Sequence, residues 1–181
     1  MLRIILIYGL IGGVIVGAPM VWGMLTYDVN SGQMPENGAI IGYATMLVAL
    51  TGVFLGVKHY RDRVLGGVIR FLPALGVGLA ISAVASLGWV IAWEISLAVT
   101  KFDFAAIYYD AMIQQARAAG EPAEKIQQMT KEGQDFAAMY ANPVIRMGIT
   151  FVEMFPIGVV ISLISAALLR NNRFLPARVT A

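Results

Sequence analysis

Two acidic residues, Glu94 and Glu153, lie inside or at the edge of long apolar stretches of this 181-residue chain. A charged carboxylate is costly among apolar side chains, so such residues are candidates for binding a proton, a cation or another ligand. Arg146 precedes Glu153 by seven residues, which places both on one face of a helix about 10 Å apart along its axis. The spacing predicts Arg146 as the partner of Glu153, and the candidate ion- or ligand-binding residues are Glu94, Glu153 and Arg146. A structural role, as an uncharged acid or an ion pair at the end of an apolar helix, fits the same residues.

The remaining composition argues against catalysis. The chain has no cysteine and one histidine, His59, which excludes thiolate sites and His-rich metal cages. There is no P-loop and no H-E-x-x-H motif, and the apolar stretches contain no histidine to serve as the base for a nucleophile. We therefore expect no catalytic residue, no metal, no cofactor and no enzymatic activity. Its apolar composition also argues against binding to nucleic acid.

The elements that position these residues are long stretches bounded by charges. Apolar residues make up 59% of the chain and charged residues 13%, far from the balance of a soluble domain. Four stretches of 21 to 24 residues are uncharged, except that Glu153 interrupts the last. A helix needs roughly 20 apolar residues to cross a bilayer. We predict an all-α, polytopic membrane protein with one domain over residues 1–181 and spans at about 4–25, 39–57, 71–92 and 147–169.

Small residues recur at four-residue spacing in all four predicted spans. Since lipid gives apolar helices no hydrophobic reason to associate, close backbone approach through such residues is expected to hold them together. The predicted packing residues are Gly9, Gly13, Gly17, Gly52, Gly56, Gly78, Ser82, Gly158 and Ser162, and Gly38 and Gly42 have the same spacing. These stripes predict a helical bundle, and they also fit a homo-oligomer or contacts with other membrane subunits.

The placement of lysine and arginine predicts the orientation. Eight of the 13 fall on one side of the predicted spans, in short segments that include the basic turn Lys58–Arg63. By the positive-inside rule, we expect both termini in the cytoplasm and the protein in the bacterial inner membrane. The basic turn is interpreted as a topology determinant, with a lipid-headgroup site as the alternative. Three tryptophans lie near the predicted outer ends, where indole rings favour the membrane interface: Trp22, Trp89 and Trp93.

Residues 101–143 form the one long segment between spans. Apolar residues from Phe104 to Met112 recur at helical spacing, and Gly120 and Pro122 then break the pattern. A second helix carries a single apolar seam at Ile126, Met129, Gly133, Phe136 and Tyr140. We predict a periplasmic helical hairpin, which is either a self-packed cap on the bundle or a docking face.

Several of these features occur together in a known family. The glycine-rich first span, the short acidic loop and the basic turn are followed by a hairpin of the Glu121–Met129 type, by Asn142-Pro143 and by a last span. The chain resembles, over nearly its whole length, a bacterial family of small four-span membrane proteins classed as a domain of unknown function. This resemblance implies a four-helix inner-membrane fold and no known activity.

Two functions remain open at this point. The first is a structural or accessory membrane subunit that acts through helix packing and the hairpin. The alternative is proton- or cation-coupled transport of a small solute, with Glu153 and Glu94 lining a polar path. The few polar residues in the spans favour the first.

Overall fold

The computed structural model describes residues 1–26 and 38–177, apart from the side chain of Ala39. The predicted acidic loop and the positive charge of Arg178 lie outside the described residues. Within the described residues the structure is all-α. Its helices are α1 (Leu2–Thr26), α2 (Gly38–Arg63), α3 (Phe71–Thr100), α4 (Phe104–Ala118), α5 (Ala123–Tyr140) and α6 (Pro143–Leu169).

Helices α1, α2, α3 and α6 are long and apolar enough to cross a membrane, which confirms the prediction of four such helices. They contain 25 to 30 residues, so the shortest is about 37 Å long against roughly 30 Å of hydrocarbon. All four extend beyond the predicted spans, and the largest extensions are those of α2, to Arg63, and α3, to Thr100. Charged residues bound the apolar stretch but do not end the helix, because backbone hydrogen bonding continues past them.

Helix α3 is the centre of the bundle and contacts α1, α2 and α6. Half of its most apolar segment is buried, against a third in each of the other three long helices. Helices α1 and α3 run parallel, with facing pairs Gly9 and Val84, Gly13 and Gly88, and Gly17 and Ala92. A Cβ atom added at Gly88 would lie 2.7 Å from the Cα atom of Gly13, so glycine is required for this approach.

Helices α3 and α6 pack through small residues that also form hydrogen bonds. A Cβ atom at Gly78 would lie 2.9 Å from the Cβ atom of Ser162, and one at Gly158 would lie 2.6 Å from that of Ser82. The Ser82 hydroxyl donates to the carbonyl oxygen of Gly158 across the interface, at 3.2 Å. The hydroxyls of Ser82 and Ser162 also lie 3.2 Å apart. The small residues that recur at four-residue spacing on α3 and α6 therefore lie in the contact between these two helices.

Other small residues differ in how closely they pack. Gly56 lies against Tyr8 of α1 and Ile81 of α3, whereas Gly52 has only ordinary contact distance to a backbone oxygen of Tyr8. Gly42 has the same spacing as the others, yet an added Cβ atom there would meet nothing within 4 Å. Spacing alone thus does not distinguish a glycine facing another helix from one facing lipid.

The basic segment Lys58–Arg63, predicted as a turn, is instead the end of α2. Lys58 and Asp62 form an ion pair one helical turn apart, which supports the helical conformation. The chain reverses direction later, at Gly66 and Gly67, whose φ angles are +68° and +96°. These left-handed conformations favour glycine because they are strained for residues with a Cβ atom.

Arg61 is completely buried in this end of the bundle. Its guanidinium donates to the Asp62 carboxylate at 2.6 Å, to the Phe174 carbonyl at 2.9 Å and to the Leu175 carbonyl. It therefore ties the end of α2 to the chain that follows α6. The sequence predicts Arg61 as one of the surface charges that determine topology, whereas the structure gives it a structural role in the interior.

Helices α4 and α5 form the predicted hairpin between the third and fourth long helices. The chain turns at Gly120, whose φ angle is +73°. Gly133 in the α5 seam is buried, and an added Cβ atom there would lie 2.9 Å from the ring of Tyr109 on α4. The seam thus packs on α4, so the hairpin is packed on itself.

Candidate functional site

The base of the hairpin contains the charged pair Glu94 and Arg146. Glu94 lies near the C-terminal end of α3, and Arg146 lies in the first turn of α6. The Arg146 Nε atom donates to Glu94 Oε1 at 2.8 Å, and the Arg146 Nη2 atom donates to Glu94 Oε2 at 2.6 Å. Both side chains are about one-fifth exposed. The planar guanidinium and carboxylate are therefore joined at two points, which fixes their mutual orientation.

Tyr140, the last residue of α5, connects the hairpin to this pair. Its carbonyl oxygen accepts from Arg146 Nη1 at 3.4 Å, and its ring lies below the guanidinium, 5.8 Å from centroid to Cζ. The Trp93 indole of α3 donates to the Tyr140 hydroxyl at 2.6 Å. Burial raises the pKa of the Tyr140 phenol, which favours the protonated hydroxyl. The hairpin is thus attached to both α3 and α6.

Aromatic rings surround the place where the hairpin base contacts α3 and α6, which we call the junction. The ring of Trp93 meets that of Phe104 edge to face at 5.2 Å, and Phe104 stacks on Tyr108 at 5.5 Å. On the other side, Tyr140 stacks on Phe136 at 5.2 Å. We call these five residues, Trp93, Phe104, Tyr108, Phe136 and Tyr140, the aromatic cluster. Its rings come from α3, α4 and α5, so it joins three helices.

Side-chain caps fix where the helices of this region begin. Asp103 accepts from the backbone nitrogen of Ala106 and caps α4. Asn142 accepts from the backbone nitrogen of Val144 and caps α6, and Pro143 occupies the first helical position, where no backbone donor is needed. The short connections on both sides of the hairpin are therefore set by local sequence.

Glu153 lies elsewhere and is not the partner of Arg146, which corrects the pairing predicted from the seven-residue spacing. The Trp89 indole of α3 donates to Glu153 Oε2 at 3.3 Å. Glu153 is exposed on the surface of the bundle, within the candidate membrane span of α6. The Arg146 side chain instead pairs with the carboxylate of Glu94 on α3. The three candidate residues therefore form two separate groups.

The tryptophans also differ in their surroundings. Trp22 is exposed near the end of α1, as an interface residue would be. Trp89 is buried beside Glu153, and Trp93 belongs to the aromatic cluster. Their indole N–H groups thus bond to side chains of other helices, which the spacing of tryptophans along the sequence does not reveal.

A pocket of about 360 Å³ opens beside the junction. Its polar walls come from Lys101, Asp103 and Arg146, and its apolar walls from residues such as Leu97 and Phe104. Lys101 has a left-handed backbone conformation, φ +53°, where α3 ends and the chain turns towards α4. Among the described residues, no group of three His, Cys, Asp or Glu side chains is placed to hold a metal ion. The arrangement at this end is suited to fixing the hairpin on the bundle.

Four long apolar helices, with a hairpin anchored between the third and the fourth, define a multi-pass membrane protein. The chain belongs to the protein family of unknown function DUF4199, whose sequence profile matches residues 7–171. This match confirms the family resemblance seen in the sequence. Neither the comparison with curated proteins nor the comparison with solved structures found a match.

Proposed function

We propose that the protein is a structural or accessory membrane subunit whose bundle holds the α4–α5 hairpin in a fixed position for docking to another membrane subunit. The observation that carries this proposal is the two-point bond between Arg146 and Glu94 at the hairpin base. Together with the bond from Trp93 to Tyr140, it restricts both the position and the direction of the hairpin. A fixed docking element loses less conformational freedom on binding than a mobile one.

The outer surface of the hairpin has the chemistry of a contact surface. Tyr108, Met112 and Met139 are exposed by 40%, 37% and 43%. Tyrosine and methionine are enriched in protein interfaces, and methionine adapts to irregular partners. These side chains lie beyond the self-packed seam, so a partner reaches them without opening the hairpin.

The small-residue stripes support the proposal by exclusion. Gly9, Gly13 and Gly17 pack on α3, and Gly158 and Ser162 also pack on α3. These surfaces are occupied within the chain. We therefore assign docking to the hairpin rather than to the stripes of α1 and α6, with another membrane subunit or a second copy of the chain as the partner.

The proposed orientation places the hairpin in the periplasm and both termini in the cytoplasm of a bacterial inner membrane. The end opposite the hairpin carries most of the described cations, at Arg3, Lys58, Arg61, Arg63, Arg70, Arg170 and Arg173. A reporter fused after Gly120 that is active only in the periplasm tests this assignment. Reporter activity in the cytoplasm contradicts it.

Docking is tested by photo-crosslinking in intact cells. A crosslinking amino acid at Met112 or Met139 is expected to give one discrete adduct, and the same amino acid at Leu87, which is exposed in the span, is not. The Arg146→Gln variant should weaken the hairpin adduct because it frees the hairpin base. The docking proposal fails if Met112 and Leu87 give the same adducts, or if Arg146→Gln leaves the hairpin adduct unchanged.

One observation favours proton- or cation-coupled transport as a second candidate function. Glu153 is an exposed acidic residue within a candidate span, where a fixed charge is costly and reversible protonation is a common use. Glu94 contributes less to this alternative because Arg146 occupies both of its oxygens. Glu153→Gln should abolish proton-linked uptake in proteoliposomes if the protein is a carrier, whereas unchanged uptake refutes the role of Glu153.

A further inference from the structure

An apolar groove of about 430 Å³ runs between α2 and α6 on the surface of the bundle. Its walls are formed by apolar side chains of the two helices, Leu47, Phe54, Leu55, Ile161 and Ile164. Its two hydroxyl groups bond to their own helices, Thr51 to the Val48 carbonyl at 2.6 Å and Ser165 to the Ile161 carbonyl at 2.7 Å. The groove therefore presents an apolar surface, and its volume is that of an ordinary ligand site.

One end of the groove lies near the basic end of the molecule, the end opposite the hairpin that carries most of the described cations. Along α2, Lys58 follows Phe54 by one helical turn on the same face. Below the groove, the ring of Phe174 meets that of Phe54 edge to face at 6.4 Å. Arg61 holds the carbonyl of Phe174, so the neighbouring residue Arg173 is kept close to the end of the groove. Apolar walls thus lead directly to cationic side chains.

The positive charge at this end is largely uncompensated. Asp62 is the only acidic residue near it among those the structure describes, and Lys58 and Arg61 both bind its carboxylate. Arg173 is exposed, and its guanidinium forms no ion pair and no side-chain hydrogen bond with the described part of the chain. Arg63, Arg70 and Arg170 share this property. A negatively charged group arriving here meets cations that are free to bind it.

We propose that the α2–α6 groove and the basic end together form a binding site for an anionic phospholipid. The groove receives an acyl chain, and Arg173 binds the headgroup phosphate, while Lys58, which already pairs with Asp62, adds its positive charge nearby. This combination matches the two parts of one amphiphile, an apolar chain and a negative group at its end. It also fits the depth of the site, because the charges lie where α2 and α6 leave the apolar region. The site is separate from the hairpin and does not depend on its docking.

Native mass spectrometry of the full chain in mild detergent tests the site. The probe is an equimolar mixture of phosphatidylglycerol and phosphatidylcholine with identical acyl chains. Phosphatidylglycerol adducts are expected to exceed phosphatidylcholine adducts, and Arg173→Gln should reduce this preference about fivefold, the effect of one basic residue at an anionic surface. Lys131→Gln, an exposed change on the hairpin, is the matched control and should leave the preference unchanged.

The groove is tested by filling it. Leu55 and Leu87 are almost equally exposed, at 52% and 53%, but only Leu55 lines the groove. Leu55→Trp should remove the lipid adducts, and Leu87→Trp should retain them. If Leu55→Trp is not monodisperse, Thr51→Trp replaces it, because Thr51 is also exposed at the groove.

Three results overturn the proposal. The first is equal binding of the two lipids, which indicates an apolar occupant without headgroup recognition. The second is an equal effect of the two tryptophan substitutions, or of Arg173→Gln and Lys131→Gln. The third is displacement of the lipid by inorganic phosphate at constant ionic strength, which indicates a site for free phosphate.

Discussion

Replacing Gly88 by alanine tests the packing of α1 on α3. The added Cβ atom would lie 2.7 Å from the Cα atom of Gly13, and ordinary contact begins near 3.4 Å. The two helices must therefore separate by about 0.7 Å or bend, since the obstructing atom belongs to the backbone. Overpacking of this kind costs about 1–3 kcal/mol. We expect the free energy of unfolding to fall by that amount relative to Gly76→Ala, which gains the same helix propensity.

Gly76→Ala is the matched control because it makes the same change on the same helix. An added Cβ atom at Gly76 would meet nothing within 4 Å. Alanine is the better helix former, so this variant should be unchanged or more stable by up to about 1 kcal/mol. The assay is equilibrium unfolding in mixed micelles with increasing dodecyl sulfate, followed by far-ultraviolet circular dichroism. Equal unfolding free energies for the two variants would refute the close packing of α1 on α3.

Three further predictions concern the two ends of the bundle. Arg61→Ala should destabilise the protein by about 3–5 kcal/mol, because it removes a buried charge bonded to Asp62 and to backbone carbonyls. The control Arg63→Gln should change stability by less than about 0.5 kcal/mol. Equal losses of stability in the same unfolding assay would contradict the role of Arg61. A double-mutant cycle on Glu94→Gln and Arg146→Gln should give a coupling energy of about 1 kcal/mol, and additive effects would show that the ion pair contributes nothing. Burial raises the pKa of the Tyr140 phenol above its ordinary value of 10.0, so the phenol ionises more readily in the unfolded chain than in the folded one. The stability that the buried phenol contributes is complete below pH 10 and is lost as the pH rises through the folded-state pKa. Thermal unfolding between pH 8 and 11 should therefore depend more on pH in the native protein than in Tyr140→Phe. Identical pH profiles for the two proteins would contradict the raised pKa.

The long helices were predictable because their determinants are local. The distance between charges along the chain measures directly whether a helix can cross hydrocarbon. The hairpin was predictable for a similar reason, since Gly120 and Pro122 interrupt two amphipathic patterns. The bounds were less accurate, because α2 continues past Lys58 and α3 continues past Glu94, the charges that end their apolar stretches.

Contacts between helices were harder to predict because they depend on relative rotation and register. Helical spacing relates Arg146 to Glu153 on α6, but it contains no information about Glu94 on another helix. Gly88 belongs to no four-residue glycine stripe of its own, although it faces Gly13. The position of Arg61 follows from the carbonyls that the chain after α6 presents to it, and these are known only once the bundle is assembled.

The proposed docking site and the proposed lipid site lie at opposite ends of the molecule. The hairpin is held by an ion pair and aromatic contacts at its base. The lipid site depends on Arg61, which positions the residues next to Arg173. Substitutions at one end should therefore leave the other function intact, which allows the two proposals to be tested independently.

Cysteine accessibility in native membranes tests most directly whether lipid surrounds the four long helices. The chain contains no cysteine, so each introduced thiol is the only one present. Leu87, Gln114 and Asn171 are all exposed in the structure, on α3, on the hairpin and after α6. A membrane-impermeant maleimide should label Gln114→Cys and Asn171→Cys from opposite sides of the membrane and leave Leu87→Cys unlabelled, because its thiol faces hydrocarbon. Rapid labelling of Leu87→Cys in intact membranes would show that water covers this surface and would contradict the membrane-spanning arrangement.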